Sequence, residues 1–250
     1  MGVQELCTRL CAAVKERDFP TCLSAATILG TLDGGPDGER RAQELRGLGG
    51  DHARTLAGDL TDIFHETFAM GEIEESFQVR TAIAAALGLL GPAGAVAVPA
   101  LAESLMGPCA SAPTARSARV STVFALADLQ DCLPAEAIEP AAPGVASILA
   151  SGRCGDGGDS EGARALAAFV LGRLGEGAMP FCPLLIDSLG DPSVRVRLSS
   201  IGALGSMGEV AAPACSRLAE MAASSSEEED VRTAAAEAFE SITGRAPGEV

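Results

Sequence analysis

One thirteen-residue motif, VRTAIAAALGLLG at residues 79–91, recurs with variations along most of this chain. When its first residue is counted as position 0, six copies are found, and their starts lie 33 to 58 residues apart. Self-similarity at such intervals is typical of proteins that stack two-helix repeats. The copies begin at Thr21, Val79, Ala118, Ala163, Val196 and Val231.

The copies agree at the positions that a helix would bury. A large apolar residue occupies positions 8 and 11 in every copy, glycine occupies position 9 in four copies, and arginine occupies position 1 in five. Positions 4, 7, 8 and 11 lie on one side of a helix of period 3.6, so each copy is predicted to be a helix with an apolar stripe. Many stripe residues are small, which lets a neighbouring helix approach closely. The arginines are Arg80, Arg119, Arg164, Arg197 and Arg232.

A second helix is predicted after the copies that end at Gly91, Gly175 and Gly208. Each of these segments carries an early proline, which the first turn of a helix tolerates, and then apolar pairs such as Leu101 and Leu105. One helix pair cannot bury both of its faces, whereas stacked pairs bury a continuous core. The sequence therefore predicts an all-α solenoid of about six helix pairs.

The motif V-R-x-x-A-x-x-A-L-G-x-L-G, followed by a proline-led helix, resembles the HEAT repeat, especially its phycobilisome-lyase-like variety. The resemblance covers residues 76–243. It implies a right-handed superhelix whose second helices line the concave side. It also implies that the arginines at position 1 join neighbouring repeats through acidic partners. The other interpretation of this arginine column is a ladder that binds anions.

The repeats favour one domain over residues 1–250 rather than two globular domains. The interval between the first two copies is too long for one repeat and indicates an insertion, which we expect to be a loop with about one turn of helix. Because the sequence begins inside a helix pattern, it is left open whether the chain is a processed or truncated product. The expected parts are a divergent segment at 1–70 with a loop insertion at 33–50, regular repeats at 76–243 and a tail at 244–250.

The net charge of −16 and the scarcity of aromatic residues restrict the partners. Phosphate backbones and anionic membrane surfaces would be repelled. A chain with 3% aromatics and no Trp or Tyr also lacks rings on which bases could stack. We therefore expect no direct binding of nucleic acid. We expect protein partners with a basic segment, and a place in a hetero-oligomer. The alternative explanation of the charge is that it keeps an alanine-rich array dispersed.

Two sets of acids are candidate partner-binding positions. Each of three second helices carries an acid twelve residues after the glycine at position 12, and these acids are Glu103, Asp187 and Glu220. The long helix predicted at 52–69 carries an i, i+3, i+7 stripe of Asp59, Asp62 and Glu66. We expect these six acids to line the concave face and to receive a basic segment. A solvated face of an acidic chain is the alternative.

Three serines precede the last motif copy in the string SSSEEED at 224–230. Ser224, Ser225 and Ser226 each have an acid three residues later, a pattern that resembles the substrates of acidophilic kinases. They are therefore candidate phosphorylation sites. A structural explanation is also sufficient, because Ser226 and Glu229 have the spacing of a capping box.

No group of residues predicts catalysis, a metal site or a cofactor. The two histidines, His52 and His65, are thirteen residues apart on one predicted helix and point to nearly opposite sides. The single His-Glu pair at 65–66 is too few for deoxyhypusine hydroxylase, an iron-binding HEAT-repeat enzyme with several such pairs. The glycine-rich segment at 151–162 carries acids but lacks EF-hand spacing, so we expect a linker rather than a calcium site.

The eight cysteines form no C-x-x-C pair. Helical cysteines without metal-ligand spacing are typical of a reducing intracellular compartment, either the cytoplasm or an organelle interior. No segment is long and apolar enough to be expected to span a membrane.

These observations predict a non-enzymatic scaffold or accessory subunit of a larger multiprotein assembly, which binds through a curved helical surface. The competing interpretation, drawn from the resemblance, is a bilin lyase or isomerase, since those proteins share this repeat type. A third is an adaptor whose binding is tuned by phosphorylation at 224–226.

Overall fold

Every regular element in the described part of the chain is a helix. The computed structural model describes residues 36–69, 71, 73–106, 113–151 and 160–245, with a few isolated residues between 5 and 24. No strand occurs among these residues. The chain divides into two compact units, Met1–Leu133 and Pro134–Val250.

In the first unit, two motif helices lie side by side. These are α3, which holds the copy starting at Val79, and α5, which holds the copy starting at Ala118. The long helix α2 packs against α3, against the 3-10 stretch that follows α3, and against α4, so it lies in the layer of second helices. The elements are α1 Pro36–Arg46, α2 Gly50–Ala69, α3 Glu74–Leu89, the 3-10 stretch Gly91–Ala97, α4 Val98–Leu105 and α5 Pro113–Gln130.

In the second unit, the motif helices α8, α10 and α12 form a row in which each packs against the next. The second helices α7, α9 and α11 form the other layer. The elements are α6 Ala135–Ile138, the 3-10 stretch Glu139–Ala141, α7 Ala142–Ala150, α8 Glu161–Gly172, the 3-10 stretch Gly175–Phe181, α9 Cys182–Ser188, α10 Val194–Met207, the 3-10 stretch Gly208–Ala214, α11 Cys215–Ala223 and α12 Glu229–Thr243.

The predicted all-α solenoid is confirmed. The apolar stripe is buried as expected: in α3, for example, Ile83, Ala86 and Leu87 are fully buried and Leu90 is nearly so. The number of helix pairs and the single array over the whole chain stay predictions. The first motif copy, at 21–33, lies almost entirely outside the described residues, as do most of the segment at 151–162 and the end of the tail.

Neighbouring motif helices touch through a glycine and an alanine. The glycine at position 9 of one helix faces the alanine at position 7 of the next. An added Cβ on Gly88 would lie 3.0 Å from the Cα of Ala125, and one on Gly172 would lie 2.4 Å from the Cα of Ala203. A Cβ on Gly205 would lie 3.2 Å from the Cβ of Ala238. The helix backbones therefore come closer than two larger residues would allow.

Position 9 differs from glycine in two of the described copies. The copy in α5 has Ala127 there, and the boundary between the two units falls just after this helix. The copy in α12 has Glu240, which is exposed. Glycine at position 9 thus accompanies each of the close contacts between motif helices described above.

Glycine at position 12 ends the motif helix for a different reason. Gly91, Gly175 and Gly208 have φ angles of 55°, 57° and 60°, a left-handed conformation that favours glycine. Each then begins a 3-10 stretch of 7 residues, so the second α-helix starts later than a continuous helix would. Pro99 and Pro183 occupy the first turns of α4 and α9, as predicted.

Two local predictions were wrong. The insertion at 33–50 was expected to be a loop with about one turn of helix, but it contains the 11-residue helix α1, because Ala42 and Leu45 form a buried apolar side and α1 packs against α3. The capping box from Ser226 does not form, because α12 begins at Glu229 and the Ser226 hydroxyl lies 2.9 Å from the Ser224 hydroxyl.

The substitution Gly172→Ala should destabilise the second unit. Its Cβ would overlap the backbone of Ala203, and overpacking of this kind costs about 1–3 kcal/mol of unfolding free energy. Urea titration followed by circular dichroism measures the change.

The matched control is Gly202→Ala in the adjacent helix α10. No atom lies within 4 Å of the added Cβ there. The higher helix propensity of alanine should therefore raise the unfolding free energy by about 0.5–1 kcal/mol. Equal effects of the two substitutions would contradict the proposed role of position 9.

Candidate functional site

The six predicted partner-binding acids are all exposed. On α2, Asp59, Asp62 and Glu66 lie away from the fully buried Leu60 and Phe64, because acids at i, i+3 and i+7 share one side of a helix. The other three lie on second helices, with Glu103 on α4, Asp187 on α9 and Glu220 on α11. In the first unit, α2 packs against α4, so Glu103 and the α2 acids belong to one helix layer.

Among these acids, Glu220 forms an ion pair with Arg217 on the same helix, with 3.1 Å between the Arg217 Nη1 and the Glu220 Oε2. Both side chains are largely exposed, at 66% and 47%, so the pair is screened by water and contributes little to stability. The structure does not test whether the six acids bind a partner, and that assignment stays a prediction.

Four of the five arginines at position 1, Arg80, Arg119, Arg164 and Arg197, are directed into the array rather than towards solvent. In the first unit, the Nε of Arg80 donates to the Thr67 hydroxyl at 3.0 Å and its Nη2 donates to the Thr67 carbonyl at 3.1 Å. Its guanidinium also lies over the ring of Phe68 at 4.3 Å. Arg119 donates to the carbonyl of Leu105 at 2.8 Å. Both arginines therefore bind the end of the helix that precedes their own in the array.

In the second unit, the arginines bind acids as the resemblance implied. Arg164 donates two hydrogen bonds to the carboxylate of Asp191, at 3.1 and 3.0 Å, and both side chains are about nine-tenths buried. Arg197 reaches Glu227 at 3.1 Å and Glu228 at 2.7 Å, and it also donates to the carbonyl of Asp191. Each acid lies in the linker before the next motif helix. These contacts support the interpretation of the column as a connection between repeats.

The candidate serines lie beside one of these contacts. Ser225 and Ser226 are exposed, Ser224 is half-buried, and all three directly precede the two glutamates that pair with Arg197. Whether they are phosphorylated stays a prediction.

A groove that the sequence pattern did not predict runs between the motif helices α8 and α10. We call it the Phe169 groove. In this groove Phe169 is 46% exposed, and the guanidinium of Arg173 lies 5.6 Å from the centre of the Phe169 ring. The only available signal was an aromatic residue at position 6, off the apolar stripe. The lining residues are Phe169, Arg173, Leu198, Ser199, Gly202, Ala203 and Ser206.

The first unit has a related surface at the same motif positions. Phe124, at position 6 of its copy, is 51% exposed. The residue at position 10 is Asp128 instead of an arginine. Partial burial raises the pKa of the Asp128 carboxyl, the nearby Arg46 lowers it, and the neighbouring Asp131 raises it. The two exposed phenylalanines therefore have neighbours of opposite charge.

The described residues include no metal-binding group, and two of their cysteine thiols are held protonated. No group of three or more His, Cys, Asp and Glu side chains could hold a metal ion there. Burial raises the pKa of the Cys182 and Cys215 thiols, which keeps both in the unreactive protonated form at neutral pH. Among the described residues, no helix has both the length and the apolarity needed to cross a membrane.

Residues 157–240 match the family model for HEAT repeats. That segment therefore carries HEAT repeats. No curated protein matches the sequence. Two solved structures, both of engineered proteins, resemble the helical array of this chain. One is 16% identical with a TM-score of 0.51, and the match covers 88% of this chain and 95% of the engineered one. The other is 18% identical with a TM-score of 0.53, and the match covers 96% and 63%.

At these identities the likeness shows the fold alone. A HEAT array is typically a non-catalytic fold that presents extended surfaces to other proteins, since stacked helices leave a long row of side chains exposed. A role in protein interaction follows from this fold at a general level, whereas the partner depends on the particular exposed residues.

The buried pair of Arg164 and Asp191 should be far more important for stability than the exposed pair of Arg217 and Glu220. Asp191→Asn leaves a buried guanidinium without its counter-charge, which should lower the unfolding free energy by about 3 kcal/mol. Glu220→Gln should change it by less than about 1 kcal/mol. Chemical denaturation of both variants measures the difference. A loss for Asp191→Asn no larger than that for Glu220→Gln would show that the pair does not connect the repeats.

Proposed function

We propose that this protein is a non-enzymatic scaffold or accessory subunit of a larger assembly, which binds a basic segment of a partner protein through its exposed acids. The observation that carries the proposal is a division of charge between the two kinds of helix. The position-1 arginines in α3, α5, α8 and α10 bind groups of the array itself, whereas the six predicted acids on α2, α4, α9 and α11 are exposed.

The net charge supports the same partner chemistry. A chain of net charge −16 attracts basic segments from a distance, and complementary charge raises the rate of association more than the final affinity. In the second unit, Asp187 and Glu220 occupy the equivalent position of the neighbouring second helices α9 and α11, and they would present carboxylates one repeat apart. An extended segment with regularly spaced Lys or Arg residues is the ligand that fits such spacing.

The test is a triple charge reversal, Glu103→Lys, Asp187→Lys and Glu220→Lys. Its affinity for a fluorescein-labelled synthetic peptide rich in Lys and Arg should fall at least about tenfold, because three attractive charges become repulsive. The dependence of affinity on salt should also weaken, since fewer charge contacts remain to be screened. Fluorescence anisotropy at two salt concentrations measures both effects.

The control reverses three other exposed acids, Glu136, Glu209 and Glu237, and so changes the net charge by the same amount. Its affinity for the basic peptide should fall much less than that of the first variant. Equal losses in the two triple variants would mean that the peptide responds to net charge alone, and the proposed positions would then be wrong.

A further inference from the structure

The linker between α11 and α12 carries three serines that differ in accessibility. Ser225 and Ser226 are exposed, whereas Ser224 is half-buried. The Ser224 hydroxyl is also engaged within the turn, because it accepts a hydrogen bond from the Ser226 backbone N–H at 3.4 Å and lies 2.9 Å from the Ser226 hydroxyl. A modifying enzyme must reach the hydroxyl from solvent, as it can in an exposed linker. Accessibility therefore favours Ser225 and Ser226 over Ser224.

Each serine has an acid three residues later, and the structure places these three acids in different environments. Glu227, which follows Ser224, is only 20% exposed and pairs with Arg197 at 3.1 Å. Glu228, which follows Ser225, pairs with the same guanidinium at 2.7 Å. A carboxylate that already has a cationic partner attracts a second cation less, because the two opposite charges largely cancel at a distance. Arg197 thus occupies the acids that would direct a kinase to Ser224 and Ser225.

The acid three residues after Ser226 is in a different position. Glu229 is exposed in the first turn of α12, and its carboxylate forms no ion pair within the described part of the chain. Asp230 adds a second exposed carboxylate beside it. The backbone from Ser226 to Glu228 is not helical, and Glu228 itself is extended. Basic side chains recognise acidic motifs through charge pairing, so an exposed, unpaired acid is the better signal. Of the three serines, only Ser226 combines an exposed hydroxyl with such an acid.

We infer that Ser226, rather than Ser224 or Ser225, is the phosphorylation site of this linker, for a protein kinase that recognises acids after its target serine. The Ser226 oxygen forms a bond to the γ-phosphorus of ATP, and the bond from that phosphorus to the β,γ-bridging oxygen breaks. ADP leaves with the bonding electrons, and the hydroxyl proton passes to a base of the kinase. The phosphate adds a charge of about −1.5 to −2 at pH 7. The inference goes beyond the proposed function and does not depend on which acids bind a partner.

The first test incubates the whole protein with ATP and an acid-directed serine kinase, and tandem mass spectrometry locates the phosphate within the linker. We expect it on Ser226, and we expect Ser226→Ala to abolish phosphorylation of the linker. Ser225→Ala is the matched control, since it removes a neighbouring exposed hydroxyl, and it should leave phosphorylation unchanged. A wild-type linker that takes up no phosphate, or that carries it mainly on Ser224 or Ser225, would overturn the inference.

Two acid variants test recognition of the site. Glu229→Gln removes the unpaired carboxylate and should slow phosphorylation of Ser226 about tenfold, because the kinase loses a hydrogen bond to a charged group. Glu237→Gln removes an exposed carboxylate about two turns further along α12 and should leave the rate unchanged. Initial rates of phosphate incorporation measure both effects. Equal rates in the two variants would contradict the role of Glu229 and with it the choice of Ser226.

A third comparison tests whether Arg197 makes the selection. Arg197→Gln frees the acids after Ser224 and Ser225, so phosphate should appear on Ser225 as well as on Ser226. The control Arg217→Gln removes an exposed arginine from a pair outside the linker and should leave the phosphate on Ser226 alone. Phosphate confined to Ser226 in Arg197→Gln, with the helical circular dichroism of the wild type retained, would overturn the selection. If Arg197→Gln unfolds, the Glu229 and Glu237 variants still decide the inference, since both residues are exposed.

Discussion

The close contact between the glycine of one motif helix and the alanine of the next is the constraint on which the array depends. A helix pair of this size has too little surface to bury its apolar side alone, and it acquires a core only when the next pair lies against it. The contacts of Gly88 with Ala125, Gly172 with Ala203 and Gly205 with Ala238 set the distance between motif helices. At that distance the leucines at positions 8 and 11 become fully or almost fully buried.

The arginine at position 1 is a second connection, and its partner changes along the chain. In the first unit it binds carbonyls and rings at the end of the preceding helix, and in the second unit it binds acids in the linker that leads to the next motif helix. Both arrangements give a largely buried guanidinium polar partners, which offset part of the cost of burying it. Arginine at position 1 therefore connects neighbouring helices in both units, through carbonyls and a ring in the first and through carboxylates in the second.

Because these side chains are committed to holding the array together, recognition is left to residues that packing does not require. The exposed acids of α2 and of the second helices are the set that we propose for partner binding. The residues around Phe169 form a second exposed surface, which lies on motif helices rather than on second helices.

Much of the fold could be predicted from the sequence because its cause is local and repeated. The helical period, the apolar stripe and the glycine at position 12 are visible in a single copy, and five further copies support the interpretation. Predictions that relied on a single local signal were less reliable. The glycines and proline near residue 36 indicated a loop, but contact with α3 stabilises α1 through Ala42 and Leu45. Asp191 has the sequence context of a cap, but the buried Arg164 of another helix engages its carboxylate.

The sequence by itself determined that this chain is a stack of paired helices, and it identified the acids that would be exposed, because both follow from periodicity along one helix. Only the tertiary structure decided which partner each arginine has and where a groove opens. Those features depend on residues of different elements, such as Arg80 with Thr67, Arg164 with Asp191 or Phe169 with Gly202, and such residues come together only after two helices have packed. A repeat motif specifies which side of a helix is buried, but the space between two helices depends on how both of their side-chain sets fit together.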